Sequence, residues 1–292
     1  MALAVATTLA ACGVATASGT THPQAVTSGW TGTGDIHWMI NSNAIDLINS
    51  AAGNTTLTTG AFDNNRTNET GTVPSNWQSL PTTTYPSYQS FSSAVAKLAP
   101  GSWVIYDNES WTFTPAAEQQ DPGAYMAKFV ALAHQHQVHV ILTPALDITT
   151  KMSCAVTGAP NWQNYLTNCR LPALAGAAHP DAFEIQAQSY QDNTDATVTG
   201  CGCYAWFVRQ AASQARAVSG AQALRVYAGL STDQSGVVST GQQLNQDSQH
   251  TRQSVDGYWL NVPRKGSYCP KCTESGNPEV AVGYLRLLGY TG

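Results

Sequence analysis

Two acidic side chains, separated by one residue, follow the clearest predicted strand of the chain. That strand covers residues 102–107, and Asp107 and Glu109 stand at its carboxyl end and just beyond it. Side chains alternate along an extended chain, so both carboxylates project to the same side, about 7 Å apart at the backbone. Two carboxylates this close do not both ionise freely, and one should keep its proton. The pair therefore predicts a general acid, Glu109, assisted by Asp107.

Other polar residues follow or line further predicted strands. Asp147 comes shortly after one strand and Glu184 lies on the next, and we predict both as additional catalytic carboxylates. The predicted substrate-binding residues share an amide or aromatic side chain near a strand end: Tyr106, Trp111, Gln186, Gln188, Tyr190, Tyr258, Trp259 and Asn261. Two structural interpretations remain open. The alternating polar residues after Phe183 could form a hydrogen-bonded layer inside the fold, and Asp107 could cap the following loop while Trp111 plugs the barrel end.

The elements that must position these residues alternate between short strands and helices. The predicted strands are residues 35–41, 54–60, 102–107, 138–144, 182–188, 224–230 and 256–262, and a Thr/Asn/Pro-rich stretch up to residue 86 predicts a surface loop. The predicted helices are residues 44–52, 87–98, 122–134, 204–218, 239–249 and 278–289. This alternation predicts an α/β fold, a (β/α)8 TIM-type barrel with one strand unidentified, long loops and disulfides. An open doubly wound sheet is the alternative, although no glycine-rich phosphate loop follows a strand.

Composition limits the partners. The 292 residues carry 13 Lys and Arg against 18 Asp and Glu, a formal charge of −5, and 11% of them are charged, against roughly 25% in a typical soluble domain. We expect no nucleic-acid partner, since no basic surface is available. The sequence contains no apolar run of about 18 residues, so no membrane-spanning helix is predicted. Amides, hydroxyls and aromatic rings favour a neutral polyhydroxylated ligand.

The first residues resemble an export signal. Leu9-Ala-Ala-Cys12 has the form of a lipoprotein cleavage box, which predicts a signal peptide over residues 1–12, a flexible linker over 13–33 and one barrel domain over 34–292. An ordinary signal peptide ending near Ala17 and Ser18 is the alternative. We expect a secreted or extracellular protein whose contact with a membrane, if any, is a lipid on Cys12.

Seven cysteines fit this compartment, because six remain after Cys12 and thiols outside the cell usually pair. Cys154 and Cys169 bracket a short loop and are predicted to pair. Cys201, Cys203, Cys269 and Cys272 could pair in several ways, and a four-cysteine zinc site is their alternative.

An Asp-x-Glu pair at a strand end, followed by an aromatic residue, resembles the active strand of chitinase-like and related barrel glycoside hydrolases. The resemblance implies that Glu109 donates a proton to the glycosidic oxygen and that Asp107 supports it, with Tyr190 or Tyr258 holding the substrate. It implies a monomeric enzyme without a cofactor that acts on a polysaccharide or oligosaccharide.

Two other functions fit the same residues. The chain also looks somewhat similar to lipid-cleaving barrel phosphodiesterases. In that interpretation His37, Asp107 and Glu109 of this chain would hold Mg²⁺ or Ca²⁺. The other interpretation of His37 is a buried residue with a structural role. A carbohydrate-binding lipoprotein without catalysis is the third function. His134, His136 and His139 are expected to complement a helix carboxyl end, away from the site.

Overall fold

The computed structural model describes residues 36–53, 64–66, 80–191, 203–218, 220–267 and 269–290. The strands are β1 (His37–Asn41), β2 (Asn64–Arg66), β3 (Leu80–Tyr85), β4 (Trp103–Tyr106), β5 (His139–Leu142), β6 (Ala182–Ile185), β7 (Arg225–Ser231), β8 (Asp233–Gln234), β9 (Val237–Val238) and β10 (Gly257–Asn261). All except β8 and β9, which form a small antiparallel pair, belong to one parallel sheet. Its order is β1-β10-β7-β6-β5-β4-β3-β2, and β2 pairs with β1 again, so the sheet curls on itself.

The helices are α1 (Ser42–Ala51), α2 (Tyr88–Ala94), α3 (Ala116–Gln120), α4 (Pro122–Gln135), α5 (Asn161–Gln163), α6 (Leu171–Ala177), α7 (Tyr204–Arg216), α8 (Gly241–Thr251) and α9 (Pro278–Leu287). Several begin where the sequence supplies a side-chain acceptor for free backbone N–H groups. The Asn41 side chain accepts from Ala44 N at 2.7 Å, and Asp121 caps α4 directly before Pro122. Thr240 and Gln243 form a capping box at the start of α8.

Alternation along each strand separates two apolar layers. One layer fills the inside of the curled sheet and contains Met39, Ile105, Ile141, Ala182, Tyr227 and Trp259. The larger layer lies between the outer sheet surface and the helices, and includes Trp38, Val104 and Phe183. Residues that share a strand face with the inner layer, such as Asp107 beyond Ile105, therefore reach the carboxyl end of the sheet.

The α/β class, the parallel sheet and the TIM-like curl are confirmed. The regular eightfold (β/α)8 repeat that the sequence predicted is not established. Residues 67–79, between β2 and β3, lie outside the described residues, so eight helical crossovers are not described. The predicted surface loop up to residue 86 is wrong, because it contains β2 and β3. Leu80-Pro-Thr-Thr-Thr-Tyr85 has no alternation of large apolar residues and carries a proline, so it gave no strand signal. The predicted strand over residues 54–60 lies outside the described residues.

The 182–188 strand prediction is too long, since β6 ends at Ile185 and a 3-10 turn, Gln188–Tyr190, follows. The segment between β5 and β6 also contains unpredicted structure. A 3-10 helix, Leu146–Lys151, is followed by α5, by one π-helical turn, Asn164–Asn168, and by α6.

The predicted Cys154–Cys169 disulfide is confirmed, and Cys269 pairs with Cys272. Cys203 is also disulfide-bonded. Paired sulfurs offer no thiolates, so the zinc alternative for these cysteines is wrong. Within the described ranges, no helix is both long and apolar enough to cross a bilayer.

Two of the clustered histidines have a specific partner at the amino end of the sheet. His134 Nε2 and His139 Nδ1 lie 3.0 and 2.7 Å from the two carboxylate oxygens of Asp181, just before β6. Burial raises the pKa of Asp181, but the bonds from His139, Val140 N and His134 outweigh it and lower the pKa. His134 lies in the last turn of α4, as the sequence predicted, and the hydrogen bonds of His134 and His139 to Asp181 additionally tie α4 and β5 to the start of β6.

Candidate functional site

A cleft of about 1110 Å³ opens at the carboxyl ends of the parallel strands. In parallel α/β folds this edge is where side chains from successive strands and the following loops converge. The described residues that line it include six of the predicted site residues: Glu109, Asp147, Gln186, Gln188, Trp259 and Asn261. The structure therefore brings together half of the predicted set in one cavity.

Asp107 and Glu109 occupy different depths at this edge. Asp107 is 3% exposed and does not line the cleft, whereas Glu109 is partly exposed and does. Asp107 Oδ1 accepts from Thr143 Oγ1 at 2.9 Å and from Gln186 Nε2 at 3.1 Å. The same Gln186 nitrogen lies 3.4 Å from Glu109 Oε1 and 3.0 Å from the Thr143 carbonyl oxygen. One amide thus bridges the buried carboxylate and the cleft carboxylate.

Other residues of the cleft wall carry further charge. Asp147 is exposed on the turn after β5, and its Oδ1 accepts from Ser110 N at 3.2 Å, which ties it to the Glu109 loop. Asp46 from α1 and Asp233 also line the cleft. Asp233 is committed to the fold, since its carboxylate accepts from Gly236 N and Thr273 N. Arg264 is the single cationic side chain among the described lining residues.

Trp259 provides the aromatic surface of the cleft. It belongs to the inner apolar layer and is 9% exposed, so one part of the indole packs in the core while another faces the cavity. Asn261 follows on the same strand face and also lines the cavity.

Three predicted aromatic residues lie outside the cleft because they occupy the other strand face or a neighbouring segment. The Tyr106 hydroxyl donates to buried Glu118 at 2.7 Å, and burial together with this bond raises the Tyr106 pKa. The Tyr258 hydroxyl donates to Ser248 O in the helix layer. Tyr190 packs against Phe207, and its burial raises its pKa to about 12.

Trp111 and Glu184 are also outside the cleft lining. Trp111 Nε1 donates to Thr114 Oγ1 at 2.7 Å and its ring contacts Phe113, so it shapes the loop after Glu109. Glu184 is fully buried and precedes Gln186 by two residues on the inner face of the sheet.

Sequence reasoning missed Asn41, Asp46 and Thr143. Asn41 ends β1 and Thr143 directly follows β5, so the rule that strand carboxyl ends face the site would have found both. Asp46 is on α1, and only the tertiary structure places it at the cleft.

The metal site of the phosphodiesterase alternative does not form. His37 is the first residue of β1 and pairs with Gly257, the first residue of β10, while Asp107 and Glu109 follow the last residue of β4. In a parallel sheet these positions lie at opposite ends, so His37 cannot join the two acids. Across the part of the chain that the structure describes, no group of three His, Cys, Asp or Glu side chains could hold a metal ion.

No family model and no curated protein matches the chain. Eleven solved chains match it. One of them is the thiamine phosphate pyrophosphorylase from Pyrococcus furiosus, with 11% identity, a TM-score of 0.28, and coverage of 88% of this chain and 96% of that chain. A likeness at this TM-score supports no function for this chain.

The predicted resemblance to chitinase-like glycoside hydrolases is wrong. No family model and no curated protein of the glycoside hydrolases matches the chain. The geometry gives the physical reason: Asp107 lies beneath the cleft instead of in it, and both tyrosines proposed to hold the sugar lie in the outer layer.

The predicted glycoside hydrolase function is therefore wrong, and so are the alternatives named beside it. The phosphodiesterase alternative fails because His37 is at the wrong end of the sheet. The carbohydrate-binding alternative is wrong as well, and of the predicted aromatic residues only Trp259 is among the described residues of the cleft.

Proposed function

We propose that the chain is an enzyme in which Glu109 transfers a proton to or from a small polar molecule bound in the cleft. The observation that carries this proposal is the Gln186 bridge, which holds a cleft carboxylate beside a buried one. A general acid or base must be held within hydrogen-bond reach of the bound molecule. Glu109 meets that requirement because it faces the cavity and its loop is tied to Asp147.

The charge of the cleft supports a neutral or cationic molecule. Asp46, Glu109 and Asp147 face the cavity, Asp233 adds a fourth carboxylate to its wall, and Arg264 supplies one positive charge. Such a surface repels phosphates and other anions and attracts amines. Asn41, Asn261 and Gln188 could hydrogen-bond neutral amides or hydroxyls. Within this proposal the fold is a (β/α)8 TIM-type barrel and the binding site is its carboxyl-end mouth.

The test begins with a panel of small amines, amides and hydroxy compounds, with phosphorylated compounds as the opposed class. Compounds that raise the melting temperature are followed for conversion by mass spectrometry. We expect Glu109→Gln to keep the thermal shift and to lower turnover by about 10²–10⁴-fold, the usual contribution of a positioned acid or base.

The matched control is Glu279→Gln, since Glu279 is exposed on α9, outside the cleft lining. Turnover in Glu109→Gln equal to that in the control would refute the proposed role.

We also propose that the protein works outside the cytoplasm, with the Cys12 box as its export signal. The disulfides at Cys154, Cys203 and Cys269 support this proposal, because such bonds persist in oxidising compartments. Expression of the whole chain and its Cys12→Ser variant, followed by fractionation and mass measurement of the amino terminus, tests the lipid. A lipid on the first chain and none on the variant is expected.

A further inference from the structure

The side-chain nitrogen of Gln186 has more acceptors than hydrogens. Asp107 Oδ1, Glu109 Oε1 and the Thr143 carbonyl oxygen lie 3.1, 3.4 and 3.0 Å from Nε2. An amide nitrogen carries two hydrogens, so three oxygens compete for them. The reversed amide orientation would place an oxygen without hydrogens against the same three oxygens, and the assigned orientation is therefore the favourable one.

Glu109 is the weakest of the three acceptors. Its distance is the longest, and Asp107 has a second donor in Thr143 Oγ1 at 2.9 Å. Donated hydrogen bonds favour the charged form of a carboxyl group. The amide consequently favours the ionised form of Glu109, and holds it by the longest of its three hydrogen bonds.

A second carboxylate at the Glu109 loop acts in the opposite direction. Asp147 Oδ1 accepts from Ser110 N, next to Glu109 in the chain, and both acids line the cleft. Negative charge nearby favours a proton on Glu109. Arg264, across the cleft, is the single cation among the described lining residues. Gln186 is a neutral donor to the Glu109 carboxylate and acts against this repulsion.

We propose that Gln186 is a positioning residue that keeps Glu109 ionised in the resting protein, so that Glu109 begins the reaction as a base. This inference rests on the proposed function and replaces two expectations, the acid role of Glu109 and ligand binding by Gln186.

The step balances as a simple proton transfer. A proton leaves the bound molecule for a Glu109 oxygen, the bonding electron pair stays on the atom that lost the proton, and the carboxylate becomes neutral. The two Gln186 hydrogens then have two remaining acceptors, Asp107 Oδ1 and Thr143 O, and the competition for them ends.

The experiment reads the protonation of Glu109 directly, without a ligand. The whole protein is labelled with ¹³C-carboxyl glutamate, and infrared difference spectra against Glu109→Gln isolate the Glu109 band. We expect an ionised carboxylate at about pH 7 in the parent. When the band is followed through an acid titration, we expect the ratio of protonated to ionised Glu109 to be about tenfold higher at each pH in Gln186→Met, which removes the donor at nearly constant size. Gln186→Glu, which adds a like charge, should raise the ratio as well.

Gln188→Met is the matched control, because Gln188 lines the same cleft and donates no described bond to either carboxylate. Its Glu109 band should equal that of the parent. A protonated Glu109 in the parent, or an identical band in the parent and both Gln186 variants, would overturn the inference. An altered band together with full turnover in Glu109→Gln would instead refute the proposed function and leave the Gln186 role intact.

Discussion

A carboxyl group on α8 is buried, and no cation among the described residues contributes to its pKa. Neither oxygen of Asp247 has a hydrogen-bond partner within the described residues, and the side chain is fully buried. Burial raises its pKa from 3.8 to about 8. The groups around it are the phenols of Tyr204, Tyr258 and Tyr284, from α7, β10 and α9, which supply no positive charge.

This raised pKa makes stability depend on pH. The folded chain binds the Asp247 proton more tightly than the unfolded chain, so the free energy of unfolding falls as pH rises from about 4 to about 8. Between about pH 5 and about pH 9, we predict that the free energy of unfolding falls by about 2–4 kcal/mol more in the parent than in Asp247→Asn. Urea unfolding at both pH values measures the difference.

The control is Asp46→Asn, because Asp46 is exposed on α1. It should leave the pH dependence near that of the parent. Parallel stability curves for the parent and Asp247→Asn would contradict the assignment.

At the residue scale the sequence identified some site residues for a sound reason. Glu109 and Asp147 each follow a strand of the parallel sheet, and this position places them at the cleft. Their chemistry depended on depth, which alternation does not give. Asp107 and Glu109 follow the same strand but differ in burial, because the chain stays buried through Asn108 and becomes partly exposed from Glu109 onward.

The segment between β5 and β6 is held by a covalent link. The Cys154–Cys169 bond spans 15 residues and joins the stretch after the 3-10 helix to the end of the π-helical turn. Asn164 adds bonds within the same loop, since its side chain accepts from Val156 N at 2.9 Å. Asp147, at the start of this segment, thus has a wall position supported by a closed loop.

We predict that Cys154→Ser with Cys169→Ser lowers the free energy of unfolding by about 3 kcal/mol, since closing a loop of this length restricts the unfolded chain. Thermal and urea unfolding of the oxidised proteins measure the loss.

Cys269→Ser with Cys272→Ser is the comparison, because that bond spans only 3 residues. The same entropic argument gives about half the loss there. Equal losses in the two double variants would show that loop length does not set the contribution.

Element prediction succeeded where apolar periodicity was strong. The helix after Asp121-Pro122 and the strands at Trp103–Tyr106 and Gly257–Asn261 were found because capping, proline position and alternation agreed. The strand at Leu80–Tyr85 was missed because threonines replace the apolar side chains, and its structure depends on pairing with β4. Local propensity cannot supply a neighbouring strand.

At the scale of the whole molecule, the first and last strands of the parallel sheet meet through a glycine. Gly257 begins β10 and pairs with His37 of β1. A Cβ atom on Gly257 would lie 2.6 Å from the His37 carbonyl carbon, well inside normal contact distance. The close approach of these two backbones is therefore possible only without a side chain.

We predict that Gly257→Ala lowers the free energy of unfolding by about 3 kcal/mol or more, because the β1–β10 pairing must shift to admit the methyl group. Urea unfolding and amide hydrogen exchange at Trp38 and Met39 measure the effect.

Gly283→Ala is the matched control, because a Cβ there meets nothing within 4 Å and the residue lies in α9. It should raise stability by about 0.5–1 kcal/mol. A Gly257→Ala protein as stable as the parent would remove the argument for a close-packed junction.

The sequence by itself determined the α/β class, the parallel strands and the strand ends where polar residues collect, because periodicity, caps and turns are local properties of the chain. It also determined the Cys154–Cys169 pairing through proximity along the chain. Only the tertiary structure decided that β2 and β3 complete the sheet, that His37 faces away from the acids, and that Gln186 bridges Asp107 and Glu109. These contacts join residues from 16 positions apart, as in Asn64 and Leu80, to 220 positions apart, as in His37 and Gly257, and burial and hydrogen-bond geometry exist only after folding brings such residues together.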